Sequence, residues 1–268
     1  MKSILVPTDF SPNADKALHY AILLANKLKL NIDLVHCYSV NRQAGHLSNM
    51  SKLLREDREI EMKELINQKQ TLLKPNLSLK GRIKKGGTVD LIVSEVAKVA
   101  PELVVMGTLG ASSLASKILG STTSYVIDKA SCPLLAIPND TEVTKFKKIV
   151  VAMDALSVAS LEVYKPLVEI ALSFNMEVEL LHVSNQKIHT DIDPKVAEYI
   201  KENGVACSYT KVSSEDIFEG IVNHMNERKD SLICVMARQR GWFSNLYHSS
   251  ISKKIAMYLS VPLLVLHE

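Results

Sequence analysis

Residues 103–127 read LVVMGTLGASSLASKILGSTTSYVI. An apolar run ends at Gly107, glycines recur at Gly110 and Gly120, and Ser121, Thr122, Thr123 and Ser124 follow the third. A short apolar run bounded by glycine suits a buried strand, and hydroxyl residues ahead of a periodic segment suit a helix start. The stretch therefore predicts strand, glycine loop and helix in that order. Glycine at a strand end lets backbone N–H groups approach an anion or take positive φ. A helix opening on hydroxyl residues adds donors to its free N–H groups and dipole, which favour phosphate. Turn glycines and a plain helix cap account for the spacing alone equally well.

Working outward, the elements alternate. SILVP suits a buried strand, and Ala17, Leu18, Ala21, Leu24, Ala25 and Leu28 then recur at helical spacing. IDLVHCYSV reads as a strand, and SNMSKLLREDREIEMKELINQKQTLLK as a long amphipathic helix running up to Pro75. LSLKGRIKK is a strand, VDLIVSEVAKVA a helix, ELVVMG a strand, STTSYVIDKA a helix and PLLAIP a last strand. Parallel strands need crossover connections, so this alternation predicts a parallel α/β sheet with helices on both faces.

The pattern occurs twice. ILVPTDF (4–10) matches IVVAMDA (149–155), pairing Asp9 with Asp154, and IDLVHC (32–37) matches VELLHV (178–183), pairing His36 with His182. LVVMG (103–107) matches ICVMA (233–237), and CPLLAIP (132–138) matches VPLLVLH (261–267). Order and spacing persist at a domain-sized period. The expected domains are 1–140 and 146–268, with the polar stretch NDTEVTKFKK (139–148) as linker. The second copy has a shorter second helix, opened by Asp193 as cap and Pro194 as first residue. The strands 133–138 and 262–266 are apolar and carry no charge to discourage pairing, so they are expected to pair with each other.

The totals narrow the class. Of 268 residues 47% are hydrophobic and 23% charged, the balance of a globular protein with a substantial core. The net charge of +3 is too small to imply nucleic acid as a partner. Residues 1–140 hold 18 Lys and Arg against 13 Asp and Glu, whereas the remainder holds 14 against 16. A mildly basic first half suits an anionic small ligand, and a solvated surface explains it nearly as well. No apolar run reaches the roughly 20 residues that span a bilayer. The amino end turns polar too soon for a signal peptide. Cys37, Cys132, Cys207 and Cys234 have no metal-like spacing. The expectation is a cytoplasmic, reduced, metal-free protein with no membrane partner.

In an open parallel sheet, ligands bind beyond the carboxyl ends of the strands where the order reverses. PTDFS and MGTLG are expected to meet there. Asp9 does not favour phosphate by charge; it suits a sugar hydroxyl or an adenine amino group. Taken alone, Asp9 reads first as a cap for the helix near Pro12. His36 and His182 read as satisfied buried histidines, KGRIKK (80–85) as a solvated strand edge, and Met153, Met176 and Met236 as filler.

The order PTDFS, then G-x2-G-x9-G-[ST] over 107–121, resembles the universal stress protein (UspA) family, in its ATP-binding subclass. The resemblance covers nearly the whole chain, twice. It implies tandem Rossmann-like domains of the adenine nucleotide alpha hydrolase type. It also implies ATP, AMP or ADP as ligand, with a divalent metal such as magnesium. By that similarity Pro7, Thr8, Asp9 and Cys37 border the adenosine. Met106 and Gly107 approach the nucleoside, and Gly110, Gly120, Ser121 and Thr122 hold the phosphates. The family pairs single domains through the last strand; here that pairing becomes intramolecular and leaves a further homodimer open.

The second copy departs from the pattern, with Ala237, Arg240 and Ser249 where the glycines stand and Gly241 one place late. Trp242 and Phe243 there either plug a vacated pocket or offer a protein contact; the plug is favoured. Arg238 and Arg240 read as solvent-facing or interface residues. The leading reading is a stress-response protein binding one adenine nucleotide in its first domain. Slow ATP hydrolysis or autophosphorylation stands second, since no general base or arginine finger can be named near the glycine loop. A nucleotide-independent interaction module stands third, with its protein partners unnamed.

Overall fold

The computed structural model describes residues 2–39, 47–109, 120–141, 146–153, 159–184, 193–237, 254–255 and 260–268. The first half contains strands β1 (Ser3–Pro7), β2 (Asn31–Tyr38), β3 (Leu79–Lys85), β4 (Leu103–Gly107) and β5 (Leu134–Ile137). Its helices are α1 (Pro12–Leu28), α2 (Leu47–Gln70), α3 (Thr88–Val99) and α4 (Ser121–Lys129). The second half contains β6 (Lys148–Met153), β7 (Glu177–Ser184), β8 (Cys207–Ser213), β9 (Ser231–Ala237) and β10 (Leu263–His267). A short 3-10 turn, Leu161–Tyr164, leads into α5 (Lys165–Phe174), and α6 (Pro194–Glu202) and α7 (Ile217–Asn226) follow.

Local chemistry sets the element ends. Ser11 caps α1, its hydroxyl accepting from the Ala14 N–H at 3.2 Å, with Pro12 as first helical residue. The cap is thus Ser11 and not Asp9; Asp9 instead accepts from the Ser11 N–H at 3.1 Å. Asp193 and Pro194 open α6 as expected, with the carboxylate accepting from the Lys195 N–H at 3.0 Å. The long helix stops at Gln70, short of Pro75. Tighter turns follow it, Leu72 N–H to Lys69 and Leu73 N–H to Gln70, because the residue before proline disfavours helix.

The ten strands form one sheet in the order β3-β2-β1-β4-β5-β10-β9-β6-β7-β8. Each half is parallel, and the antiparallel junction between β5 and β10 joins them. The expected pairing of the two terminal strands is therefore observed, with Leu264 opposite Leu135. Leu134, Ala136, Leu263, Leu264 and Val265 there are fully buried. Helices α1, α2, α5 and α6 cover one face, and α3, α4 and α7 the other.

Two readings need correction. β3 is indeed an edge strand, but Arg82 and Lys84 are not simply solvated. They reach the buried Glu95 carboxylate of α3 at 3.5 and 3.3 Å, and Arg82 also approaches Asp33 at 3.6 Å. Alternation along the strand turns these side chains onto the face that α3 covers; Lys85, of opposite parity, and Lys80, at the strand's start, stay exposed. His36 is satisfied, its ring bonding the Thr8 carbonyl at 2.8 Å. His182 is not: it is buried, and among the described residues neither ring nitrogen has a hydrogen-bond partner. The position matching Thr8 is Met153, opposite His182 across β6 and β7.

The second half has its own buried ionic cluster. Glu179 accepts from Thr210 at 2.7 Å and from His224 at 2.9 Å, with Lys148 at 3.3 Å and Arg228 at 3.7 Å. Burial pushes the Glu179 carboxyl up, but the Thr210 hydrogen bond and the His224 and Lys148 charges outweigh it, and its pKa lies below the ordinary value. Burial and the neighbouring Arg228 push His224 down, against the raising effect of Glu179.

These shifts predict an acid-labile fold. Burial also lowers the pKa of His36 and His267. A histidine with a depressed folded pKa takes up its proton more readily when unfolded. Stability is therefore full above the ordinary value of 6.5 and falls below it. The loss is at most about 1.4 kcal/mol per pH unit for each such histidine. Glu179 adds a second loss as pH falls through its own depressed pKa, below 4.5. Thermal melts followed by circular dichroism should show the midpoint dropping steadily from pH 7 to pH 5.5. His224→Gln should make that slope shallower; a midpoint independent of pH over this range would contradict the assignment.

Candidate functional site

The strand order within the first half reverses between β1 and β4, and beyond the carboxyl ends of such strands is where open α/β sheets bind ligands. Pro7, Thr8 and Asp9 leave β1 there, and Met106 and Gly107 end β4 beside them. Cys37 lies near the end of β2, on the face that packs against α3. Burial pushes its thiol up to about 11, with Glu95 adding to the effect and Lys84 opposing it, so the sulfur stays protonated. Gly110 and its neighbours to residue 119 lie outside the described residues, as do Asp154, Arg238, Arg240, Gly241, Trp242, Phe243, Ser249 and Ser250.

The turn after β1 is tightly made. The Thr8 N–H donates to the Val35 carbonyl at 2.9 Å, its hydroxyl accepts from the Phe10 N–H at 3.1 Å, and its carbonyl takes the His36 Nδ1 proton. Phe10 sits at φ 62, a left-handed conformation that costs a non-glycine residue energy. Its ring lies 4.6 Å from that of His36, centroid to centroid. This packing holds the turn and leaves Asp9 exposed at its tip.

Gly120 is the N-cap of α4, and its N–H donates to the Thr108 carbonyl at 2.7 Å. Buried Thr123 donates its hydroxyl to the Gly107 carbonyl at 2.8 Å. These two bonds tie the amino end of α4 to the end of β4. Gly120 has no side chain with which to cap the first turn. The N–H groups of Ser121, Thr122 and Thr123 have no intrahelical partner by helix geometry, and their partial positive charge faces the carboxyl ends of the strands.

Asn13 was not singled out from the sequence and organises the same region. Its Nδ2 donates to the Ile137 carbonyl at 3.2 Å, and its Oδ1 accepts from the Leu109 N–H at 2.9 Å. It thereby links α1 to the ends of both β4 and β5. A Cβ on Gly107 would stand 2.3 Å from Asn13 Oδ1 and 2.7 Å from Cγ. Gly107 is therefore required by the asparagine itself, whatever binds nearby. The signal was present in the second copy, where Ala237 replaces Gly107 and Val158 stands at the position matching Asn13.

This pairing is testable. Gly107→Ala should destabilise the protein by about 1–3 kcal/mol, because Asn13 cannot swing aside without giving up its bond to the Leu109 N–H and its share of the Ile137 carbonyl, which the Thr108 N–H also meets. Asn13→Ala with Gly107→Ala should cost less than the two single changes summed, as in the natural second copy. Urea denaturation of the four proteins measures this coupling; strict additivity would contradict it.

The universal stress protein family model matches residues 1–138. A universal stress protein of Methanocaldococcus jannaschii is 27% identical over 141 residues, covering 51% of this chain and 81% of its own. A universal stress protein from Archaeoglobus fulgidus superposes over 99% of this chain and 98% of its own, with TM-score 0.77 and 18% identity. That likeness concerns the fold alone. Another universal stress protein, crystallised in complex with cAMP, aligns with 51% of this chain and 96% of its own at 19% identity. Its TM-score of 0.38 is too low to bear on this chain's ligand.

Proposed function

The chain belongs to the universal stress protein family, and we propose that it is a cytoplasmic stress-response protein that holds one adenine nucleotide in its first half. The observation that carries the reading is the amino end of α4, which Gly120 leaves without a side-chain cap of its own and which is fixed to the end of β4 where the strand order reverses. Three backbone N–H groups, the Ser121 and Thr122 hydroxyls and the helix dipole suit phosphate oxygens. Exposed Asp9 and the Pro7, Cys37 and Met106 side chains supply an acceptor and apolar walls for the nucleoside. Gly110 completes the phosphate loop in this reading. The described residues gather no group of three His, Cys, Asp or Glu side chains for a metal; magnesium in this reading rides on the phosphates.

The reading confines the nucleotide to residues 1–140, as one of two domains, with 146–268 the degenerate partner. Ala237 puts a Cβ at the end of β9, where the first half needs bare backbone. None of the described helices is long and apolar enough to cross a membrane.

Freshly purified protein, denatured and assayed for released base, should yield close to one adenine nucleotide per chain after saturation. Gly120→Val should weaken ATP at least about tenfold in titration calorimetry, or about 1.4 kcal/mol, while Lys80→Ala should change little. Two equivalents per chain, or equal affinity of Gly120→Val and the wild type, would refute the assignment.

A further inference from the structure

We propose that His267, at the end of the second half's last strand, is a positioning residue for the α4 amino terminus of the first half. The geometry follows from the antiparallel junction. Helix α4 runs from the carboxyl end of β4 to the amino end of β5. β10 lies antiparallel to β5, with Val265 opposite Leu134, so its carboxyl end arrives where α4 terminates. There His267 Nε2 donates to the Ile127 carbonyl at 2.9 Å. A carbonyl only accepts, so the ring proton sits on Nε2. The Ala130 N–H already closes onto the Val126 carbonyl. Ile127 therefore carries the first carbonyl of α4 beyond the helix's own ladder, and the other half of the chain supplies its donor.

A nine-residue helix is a stiff rod of about 13 Å, so restraint at one end sets the other. Its amino end is tied by Gly120 and Thr123 to residues of its own half. Its carboxyl end is tied by His267 to the second half. The ring is largely buried between the Ile127 and Cys132 carbonyls, both of which act on it. The residue of the first half that matches His267 is Pro138, whose ring carries no donor. On the other side of the junction the Thr141 hydroxyl donates to the Ser260 carbonyl at 2.9 Å, so the two halves exchange unlike bonds, and the one that reaches α4 comes from His267.

The inference rests on the reading of α4 as the phosphate-binding helix, and its test separates the two. His267→Ala should weaken ATP three- to tenfold in calorimetry and speed backbone amide exchange across residues 121–129. His267→Gln, whose amide nitrogen reaches the Nε2 position, should restore both. Should His267→Ala fail to fold, His267→Phe keeps the ring volume without the donor and takes its place. Unchanged affinity and exchange in the donorless variant overturn the proposal with the nucleotide reading intact. Failure of His267→Gln to restore them also overturns it, since packing and not the hydrogen bond would then be responsible. If the wild type binds neither ATP, ADP nor AMP, the nucleotide reading fails. The exchange comparison alone then decides whether His267 positions α4.

Discussion

The antiparallel pairing of β5 with β10 is the contact on which the architecture depends. Both strands are almost wholly apolar and fully buried. Left unpaired, each would present an edge with unsatisfied backbone groups and no charge to deter association. Pairing them makes one ten-stranded sheet and moves the edges outward to β3 and β8. Because the junction is antiparallel between parallel halves, the carboxyl ends of the halves point in opposite directions. The candidate site of the first half therefore lies at one end of the sheet, and the corresponding end of the second half at the other. The same geometry brings His267 to α4.

The halves share strand order and differ in what they bury. Asp33 and Glu179 occupy matching strand positions. In the first half the charge is met by Arg82, with Lys84 and Glu95 extending the network. In the second, His224 stands on α7 where α3 has Glu95, and Lys148 and Arg228 supply the cations. Both solutions pair a carboxylate that would be costly to bury alone. The pair Asn13 and Gly107 behaves likewise, replaced together by Val158 and Ala237 in the second copy. Such coupled changes let the second half depart from the sequence of the first while keeping its strand order.

The fold was legible because its determinants are local or periodic. Apolar strands, amphipathic helices and the duplicated order fix a parallel sheet, and two uncharged terminal strands point to their own pairing. Residues whose partners lie far away in the chain were not legible. Asn13 meets Ile137, and Ile127 meets His267, across separations of 124 and 140 residues. Polar side chains at such places look like ordinary cap or terminal residues in one dimension. KGRIKK looks solvated in one dimension because the Glu95 carboxylate that Arg82 and Lys84 meet is carried by the next helix, α3. His182 looks like His36 in sequence, but Met153 stands at the position matching Thr8. For the site, Ser121 and Thr122 opening a helix after Gly120 were readable from hydroxyl pattern and spacing; the cause of Gly107 was not, since it lies in a side chain from α1.

The central claim is that the amino end of α4 receives the phosphates. Backbone amide NMR of labelled protein titrated with ATP tests it most directly. The account predicts that the largest shifts fall on Ser121, Thr122 and Thr123, with Asp9 following and β6 to β9 essentially still. Shifts centred on the second half, or none at residues 121–123 at saturating ATP, would contradict it.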